Sequence, residues 1–370
     1  MNVAFVHDYL NDFGGAERVL KALTEIYPKA SIYTIYFKKN SPCYQEFKDR
    51  KIIQSWFSYL PFAHKLISPL RFLIPFIWSS FDFSGYDLVI TSASWAITKG
   101  MSGAKREVCY VHTPPRYLYG YDTSRSWQGK WYSSLVKAYA LVVNHFMRMY
   151  DFKQAQKVNF FIANSQNVAK RVEKFYRRKV DRVIYPPVDI KKFQATDHRP
   201  PTTDYYLAGG RLVAAKNFDL IIKACQKAGV NLIIYGDGIL RNELEKLAGK
   251  ETEFAGRVND EKLISLYQNA KAFIIAQKDE DFGITPVEAM AAGTPVIAFR
   301  GGGYTETVTP KTGVFFDELT VDALVRAIKQ YHGSNHDTIT ARACLTQAQK
   351  FSKERFRKEM SKFTQGIGGE

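Results

Sequence analysis

The stretch Asp279-Glu280-Asp281-Phe282-Gly283-Ile284-Thr285-Pro286-Val287-Glu288-Ala-Met-Ala-Ala-Gly293-Thr-Pro295-Val-Ile-Ala-Phe299-Arg300 decides how this chain is read. Two of its carboxylates, Glu280 and Glu288, stand with seven residues between them. Thr285-Pro286 is helix-start chemistry, because the N–H that proline lacks would go unpaired in a first turn anyway. Helix formers follow Glu288, Gly293 stops the helix, and Pro295 to Phe299 reads as a short buried strand. The run 271–276, KAFIIA, reads as another strand. The order is therefore strand, loop, helix, strand, with Glu280 on the loop at a strand's C-terminal end, where open parallel sheets bind ligands. Glu288 lies one turn inside the helix, whose first amides attract an anion such as a phosphate. Two acids beside an anion site suit a ligand that has hydroxyls to grip and phosphates to cradle.

Working outward, the strand–helix rhythm repeats twice. In the first half, residues 2–7 form a buried strand that leads through Gly14-Gly15 into a helix from Ala16 to about Tyr27. Paired glycines there let backbone N–H groups approach a diphosphate, although no GxGxxG fingerprint is present. Strands follow at 31–37, 87–91 and 108–111, the last running into His112-Thr-Pro-Pro-Arg116-Tyr117. A histidine at a strand end, held by a double proline, is placed like a site residue, although a single histidine also fits a structural role. A long amphipathic helix from Lys130 to Tyr150, carrying Trp131, Tyr132 and several basic residues, precedes the strand at 160–163, which leads to Ser165, a helix N-cap. The second half restarts at 205 and reaches Gly209-Gly210-Arg211, with Lys216 opening a helix. An arginine at a strand end and a lysine at a helix start converge as a cation pair able to neutralise a diphosphate. Gly236 and Gly256-Arg257-Val258 mark two further strand ends, and Gly301-Gly302-Gly303 a turn where backbone comes close to a ligand.

The string Glu280-x7-Glu288 with its embedded Phe282-Gly283 and trailing Glu-Ala-Met-Ala-x-Gly-x-Pro-Val resembles the signature of retaining, nucleotide-sugar-dependent glycosyltransferases of family 4. Two acids at this spacing are common; the whole string is specific. The resemblance covers nearly the whole chain, most strongly from Gly209 to Gly313 and least from 38 to 83. It implies an α/β GT-B fold, two doubly wound Rossmann-like domains facing across a cleft. The expected division is an acceptor-side domain at 1–190, a linker at 191–203, a nucleotide-sugar domain at 204–350, and a final helix at 351–370 crossing back to the first domain. The linker rests on the Pro186-Pro187 pair and the polar run 194–203.

The resemblance also assigns roles. His112 and Glu280 orient the donor sugar, and Arg211 and Lys216 hold its diphosphate and complete the catalytic set. Gly14, Gly15, Gly236, Arg257, Val258, Phe282, Gly283, Ile284, Thr285 and Glu288 bind the donor, Glu288 through the ribose hydroxyls. His-Thr-Pro-x-Arg-Tyr is similar to mannosyl-type enzymes of bacterial surface polysaccharide assembly. This places Arg116 and Tyr117 on the acceptor side and makes GDP-mannose the first choice of donor, with a lipid-linked or glycan acceptor. No cofactor and no metal are expected: no DxD-like box stands at a strand end, and His332 and His336 are separated by loop residues. A UDP-sugar donor, a sugar-nucleotide 2-epimerase on the same fold, and a non-enzymatic basic protein with a relic site are the competing readings. The intact motif set speaks against the last.

Composition bounds the rest. A chain of 370 residues is long for one core, and 46% hydrophobic with 24% charged residues is ordinary for a folded protein. Four scattered cysteines imply neither disulfides nor zinc. The net charge of +16 is concentrated between 100 and 190, where sixteen Lys and Arg face six Asp and Glu. That excess points to a polyanion, and the accompanying aromatics favour an anionic membrane surface over nucleic acid. The tract 52–83 is rich in Trp and Phe but broken by prolines and basic residues. It does not cross a bilayer, and either dips into an interface or packs as core helices. With no signal peptide at the start, the expected location is cytoplasmic, peripheral on the inner face of the cell membrane.

Overall fold

The computed structural model describes residues 1–121, 133–194, 204–333 and 339–367. Among these, residues 1–121, 133–187 and 354–367 form one compact unit and 188–194, 204–333 and 339–353 form another. The chain changes unit at Pro187, three residues before the expected 190. The linker does not begin at 191: Ile190–Phe193 is a helical turn with Ile190 and Phe193 buried, and the Phe193 ring meets that of Tyr267 at 5.8 Å. The rest of the expected linker, 195–203, lies outside the described residues, as do Lys130, Trp131, Tyr132 and His336.

The first unit holds strands β1 (Val3–His7), β2 (Ser31–Thr34), β3 (Ile52–Gln54), β4 (Leu88–Ala93), β5 (Glu107–Val111), β6 (Phe160–Ala163) and β7 (Arg182–Val183). They pair in parallel in the order β3-β2-β1-β4-β5-β6-β7. β1, β4 and β5 are buried along their whole length, as expected of strands covered by helices on both faces. Because β1 neighbours both β2 and β4, the connections wind in opposite senses from it. The resulting switch point lies between the ends of β1 and β4.

The second unit repeats the plan with β8 (Tyr205–Gly209), β9 (Asn231–Tyr235), β10 (Thr252–Gly256), β11 (Phe273–Ile275), β12 (Val296–Phe299) and β13 (Gly313–Phe316). Their order, β10-β9-β8-β11-β12-β13, puts its switch point between β8 and β11. Both units are thus doubly wound α/β sheets.

Three elements depart from their sequence reading. Lys216 does not open a helix: it closes a 3-10 turn, Ala214–Lys216, and the helix Phe218–Ala228 begins only after Asn217 takes a left-handed φ of 52°. The long helix expected from 130 to 150 is described from Ser133 to Lys157. The tract 52–83 is core only in part: Phe57, Trp78 and Phe83 are buried, while Tyr59, Phe62 and Phe76 are exposed.

Candidate active site

In the second unit the site residues gather where β8 and β11 diverge. Gly209 ends β8, Gly210 follows with φ +121°, and the Lys216 ammonium lies over Gly210. Gly209, Lys216, Ala276, Gln277 and Tyr304 line one small pocket between these strand ends. The Tyr304 hydroxyl donates to the Glu280 carboxylate at 3.2 Å, and the Tyr304 ring packs on Gly283 so closely that a methyl there would meet it at 2.8 Å. Lys216, Glu280 and Gly283 are therefore brought together around Tyr304, a residue the sequence reading did not single out. Its signal was faint: an aromatic directly after three glycines. Arg211 is exposed, and neither Arg211 nor Lys216 is paired with a carboxylate among the described residues.

The two acids occupy different settings. Glu280 is half-buried on the loop after β11, and its carbonyl accepts the Gly303 N–H at 2.9 Å. Glu288 is only 3% exposed, in the middle of the helix Ile284–Ala291. Gly283 precedes this helix with φ +90° and has no side chain with which to cap it. Ile284 and Thr285, half-buried, form its first turn. Phe282 turns inward, 2% exposed and edge-on to Phe351 at 5.4 Å, so only its main chain is available to a ligand.

The triple glycine has a reason other than ligand approach. A Cβ on Gly302, at φ +55°, would stand 2.3 Å from the Glu280 carbonyl oxygen, and one on Gly303 would stand 2.4 Å from Phe282 Cα. These glycines let the turn press against the Glu280 loop and hold it. Gly236 is constrained likewise, since a Cβ there would stand 2.0 Å from the Gly210 carbonyl oxygen. Arg257 is exposed and reaches Asp237 at 3.3 Å, and Val258 beside it is half-buried.

In the first unit, β1 ends at His7 in register with Ser92 of β4, and β5 runs out into His112. His112 is buried; its Nε2 lies 2.8 Å from Ser92 Oγ, and its carbonyl accepts the Asn164 side-chain amide at 2.9 Å. Burial, helped by nearby His7, lowers its pKa to about 4, so the imidazole is neutral. Gly14 and Gly15 begin the helix Gly15–Ile26. The Gly14 N–H already donates to Glu17 Oε2 at 2.8 Å, which leaves Gly15 as the glycine amide of this pair not committed to that cap. Asp8 accepts from Ser94 Oγ, Trp95 N and Thr98 Oγ1, fixing the loop after β4. Arg116 and Tyr117 open the short helix Arg116–Tyr119. Tyr117 faces inward: its ring lies 5.2 Å from that of Trp95, and its hydroxyl is buried without a hydrogen-bond partner. Among the described residues no cluster of three His, Cys, Asp or Glu side chains suited to a metal is found.

Two sequence families divide the chain between them. The family described as Glycosyltransferase Family 4 matches residues 13–192, and that described as Glycosyl transferases group 1 matches 189–350. Among solved structures, Anabaena Alr3699/HepE in complex with UDP superposes with a TM-score of 0.72 over 99% of this chain and 100% of that one, at 18% identity, a likeness of fold. This chain belongs to the family-4-like glycosyltransferases and has their GT-B fold.

Individual relatives add detail. A GDP-mannose-dependent monoacylated alpha-(1-6)-phosphatidylinositol monomannoside mannosyltransferase of Corynebacterium glutamicum is 34% identical over 149 residues, 36% of this chain and 38% of that protein. The alpha-1,3/1,6-mannosyltransferase ALG2 of Candida glabrata is 24% identical over 83% of this chain and 78% of its own length. The chain thus spans well under half the length of the first of these relatives and most of the second.

Proposed function

We propose that the protein moves a hexose, mannose by first choice, from a nucleotide sugar to a lipid-linked or glycan acceptor with retention at the anomeric carbon. The observation that carries this reading is the gathering of Lys216, Glu280 and Gly283 around Tyr304 at the β8/β11 switch point, where a doubly wound sheet binds its ligand. Breaking the sugar–phosphate bond builds negative charge on the leaving diphosphate. Arg211 and Lys216, without carboxylate partners among the described residues, stabilise that charge, and no metal ion is needed for it. The first amides of the helix Ile284–Ala291 add partial positive charge. Glu288 grips the ribose hydroxyls, and Glu280 and His112 orient the sugar. Attack comes from the face the leaving group quits, with the departing phosphate taking the acceptor's proton.

GDP-mannose is favoured by the His112-Thr-Pro-Pro-Arg-Tyr motif and by the two relatives, both named as mannosyltransferases, one of them GDP-mannose-dependent. A UDP-sugar donor is the second reading, prompted by the UDP in the Anabaena structure. Thermal unfolding with GDP, UDP, ADP and their sugars decides between them. GDP and GDP-mannose should raise the midpoint most; a larger shift with UDP-glucose would transfer the donor assignment, and no shift with any nucleotide would refute the site.

An anionic membrane surface is proposed as partner. No described helix is long and apolar enough to cross a membrane. The helix Ser133–Lys157 nonetheless exposes Leu141, Val142 and Phe146 beside the basic excess of its region. Phe62 and Phe76 are exposed in the tract that packs on this helix through Arg71 and Asn144, 2.9 Å apart. Apolar insertion framed by basic residues holds a protein at the cytoplasmic leaflet without spanning it.

A further inference from the structure

His112 is the end of a chain of buried polar groups that begins at a carboxylate. Glu17 Oε1 lies 3.4 Å from His7 Nε2, His7 Nδ1 lies 3.0 Å from Ser92 Oγ, and Ser92 Oγ lies 2.8 Å from His112 Nε2. His7, Ser92 and His112 are 2%, 1% and 8% exposed, so water is in no position to replace these partners. Each member comes from a different element: Glu17 from the helix Gly15–Ile26, His7 from β1, Ser92 from β4, and His112 from the end of β5.

The direction of the hydrogen bonds follows from the carboxylate end and from how many protons His7 holds. Burial favours a protonated Glu17, but the hydrogen bond with His7, together with the Glu17 and Gly14 amides, outweighs it and lowers the pKa. An ionised carboxylate only accepts, so His7 carries its proton on Nε2. When His7 holds that one proton alone, its Nδ1 accepts from the Ser92 hydroxyl. Having given its one proton, Ser92 accepts from His112, which therefore carries its own proton on Nε2. His112 Nδ1 is left with a bare lone pair and, among the described residues, no hydrogen bond.

We propose that Glu17, His7 and Ser92 are positioning residues that fix the tautomer of His112, so that its Nδ1 accepts a hydrogen bond from a hydroxyl of the bound sugar. This rests on the reading that His112 faces the donor sugar. The groups bearing on His112 are His7 and Ser92 through the chain, Glu17 and Asp8 by charge, the Tyr110 ring 5.1 Å away, and Asn164 on its carbonyl. A second proton on His7 would reverse Ser92 and turn His112 Nδ1 into a donor. The acceptor or donor character of the site is thus decided three groups away from the substrate.

Nitrogen-15 NMR of histidine-labelled protein tests this, with His112 and His7 assigned from His112→Gln and His7→Gln. In the wild type, His112 should show a pyrrole-like Nε2 and a pyridine-like Nδ1. Ser92→Ala should mix the tautomers and lower kcat at least tenfold with little change in KM for the donor, and Ser92→Thr, which keeps the hydroxyl, should restore both. If Ser92→Ala does not fold, Glu17→Gln, which can donate as well as accept, should raise the Nδ1–H form. A wild-type His112 protonated on Nδ1, or one unchanged by both Ser92→Ala and Glu17→Gln, overturns the proposal. The spectra need no substrate, so a failed donor assignment leaves the tautomer result standing, and the reverse.

Discussion

Charge at single side chains sets the first expectations. Among the described residues Lys216 and Arg211 have no carboxylate to neutralise, so removing either should cost the fold little and the leaving group much. Lys216→Ala or Arg211→Ala should lower kcat roughly a hundredfold, about 3 kcal/mol of barrier, with the thermal midpoint nearly unmoved. Full turnover in the double variant would remove both from the catalytic set. His112 gives a pH signature. Its folded pKa, about 4, is below the ordinary 6.5, so the unfolded chain binds the extra proton first. The stability it contributes is whole above pH 6.5 and falls away as the pH drops toward 4. Urea unfolding across that window should show the decline, and His112→Gln should flatten it. Tyr304 shows what the sequence hid at this level: nothing in Gly-Gly-Gly-Tyr tells that the hydroxyl meets Glu280, because the two are 24 residues apart and meet only through the packing of the turn on the loop.

Whole elements were legible to different depths. Buried parallel strands announce themselves as apolar runs, and the E-x7-E string marked its loop and helix. Element starts were harder: Lys216 sits in a 3-10 turn because Asn217 adopts φ 52°, a local choice that asparagine tolerates but does not demand. The glycine turn at 301–303 was seen, yet its purpose was not, since close approach to the protein's own loop and to a ligand look alike in sequence. Gly302→Ala should therefore lower stability by at least about 1 kcal/mol and, by displacing Glu280, lower activity more than Lys216→Ala lowers stability. Denaturant melts beside initial rates would check it; an unaffected variant would mean that the loop is held otherwise. On the helix Ser133–Lys157, Leu141→Ser with Phe146→Ser should cut sedimentation with anionic vesicles while leaving the melting temperature in place, because both side chains are exposed. Unchanged sedimentation would remove this face from the membrane reading.

For the molecule as a whole, the two doubly wound sheets were readable because strand–helix alternation is periodic and occurs twice. The ends of the units were not: the sequence put the first boundary at 190, where Ile190 and Phe193 are in fact buried in the second unit. The proposed independence of metal is a property at this level too. Transfer should persist in excess EDTA; a complete loss restored by Mg²⁺ would show that the cations do not suffice.

The last helix, Lys353–Gly366, sends Phe356 and Met360 into the same core as Val3, Phe5 and Tyr110, and Thr364 meets the Tyr27 hydroxyl at 2.6 Å. Synthesis makes the first unit's sheet before the second unit, yet this core lacks two of its buried side chains, Phe356 and Met360, until the ribosome has made the entire second unit. The half begun first is finished last, and on the ribosome the second sheet can close while the first still waits. A stop codon near 350 would spare every residue of the nucleotide site and still leave the other half open at its core.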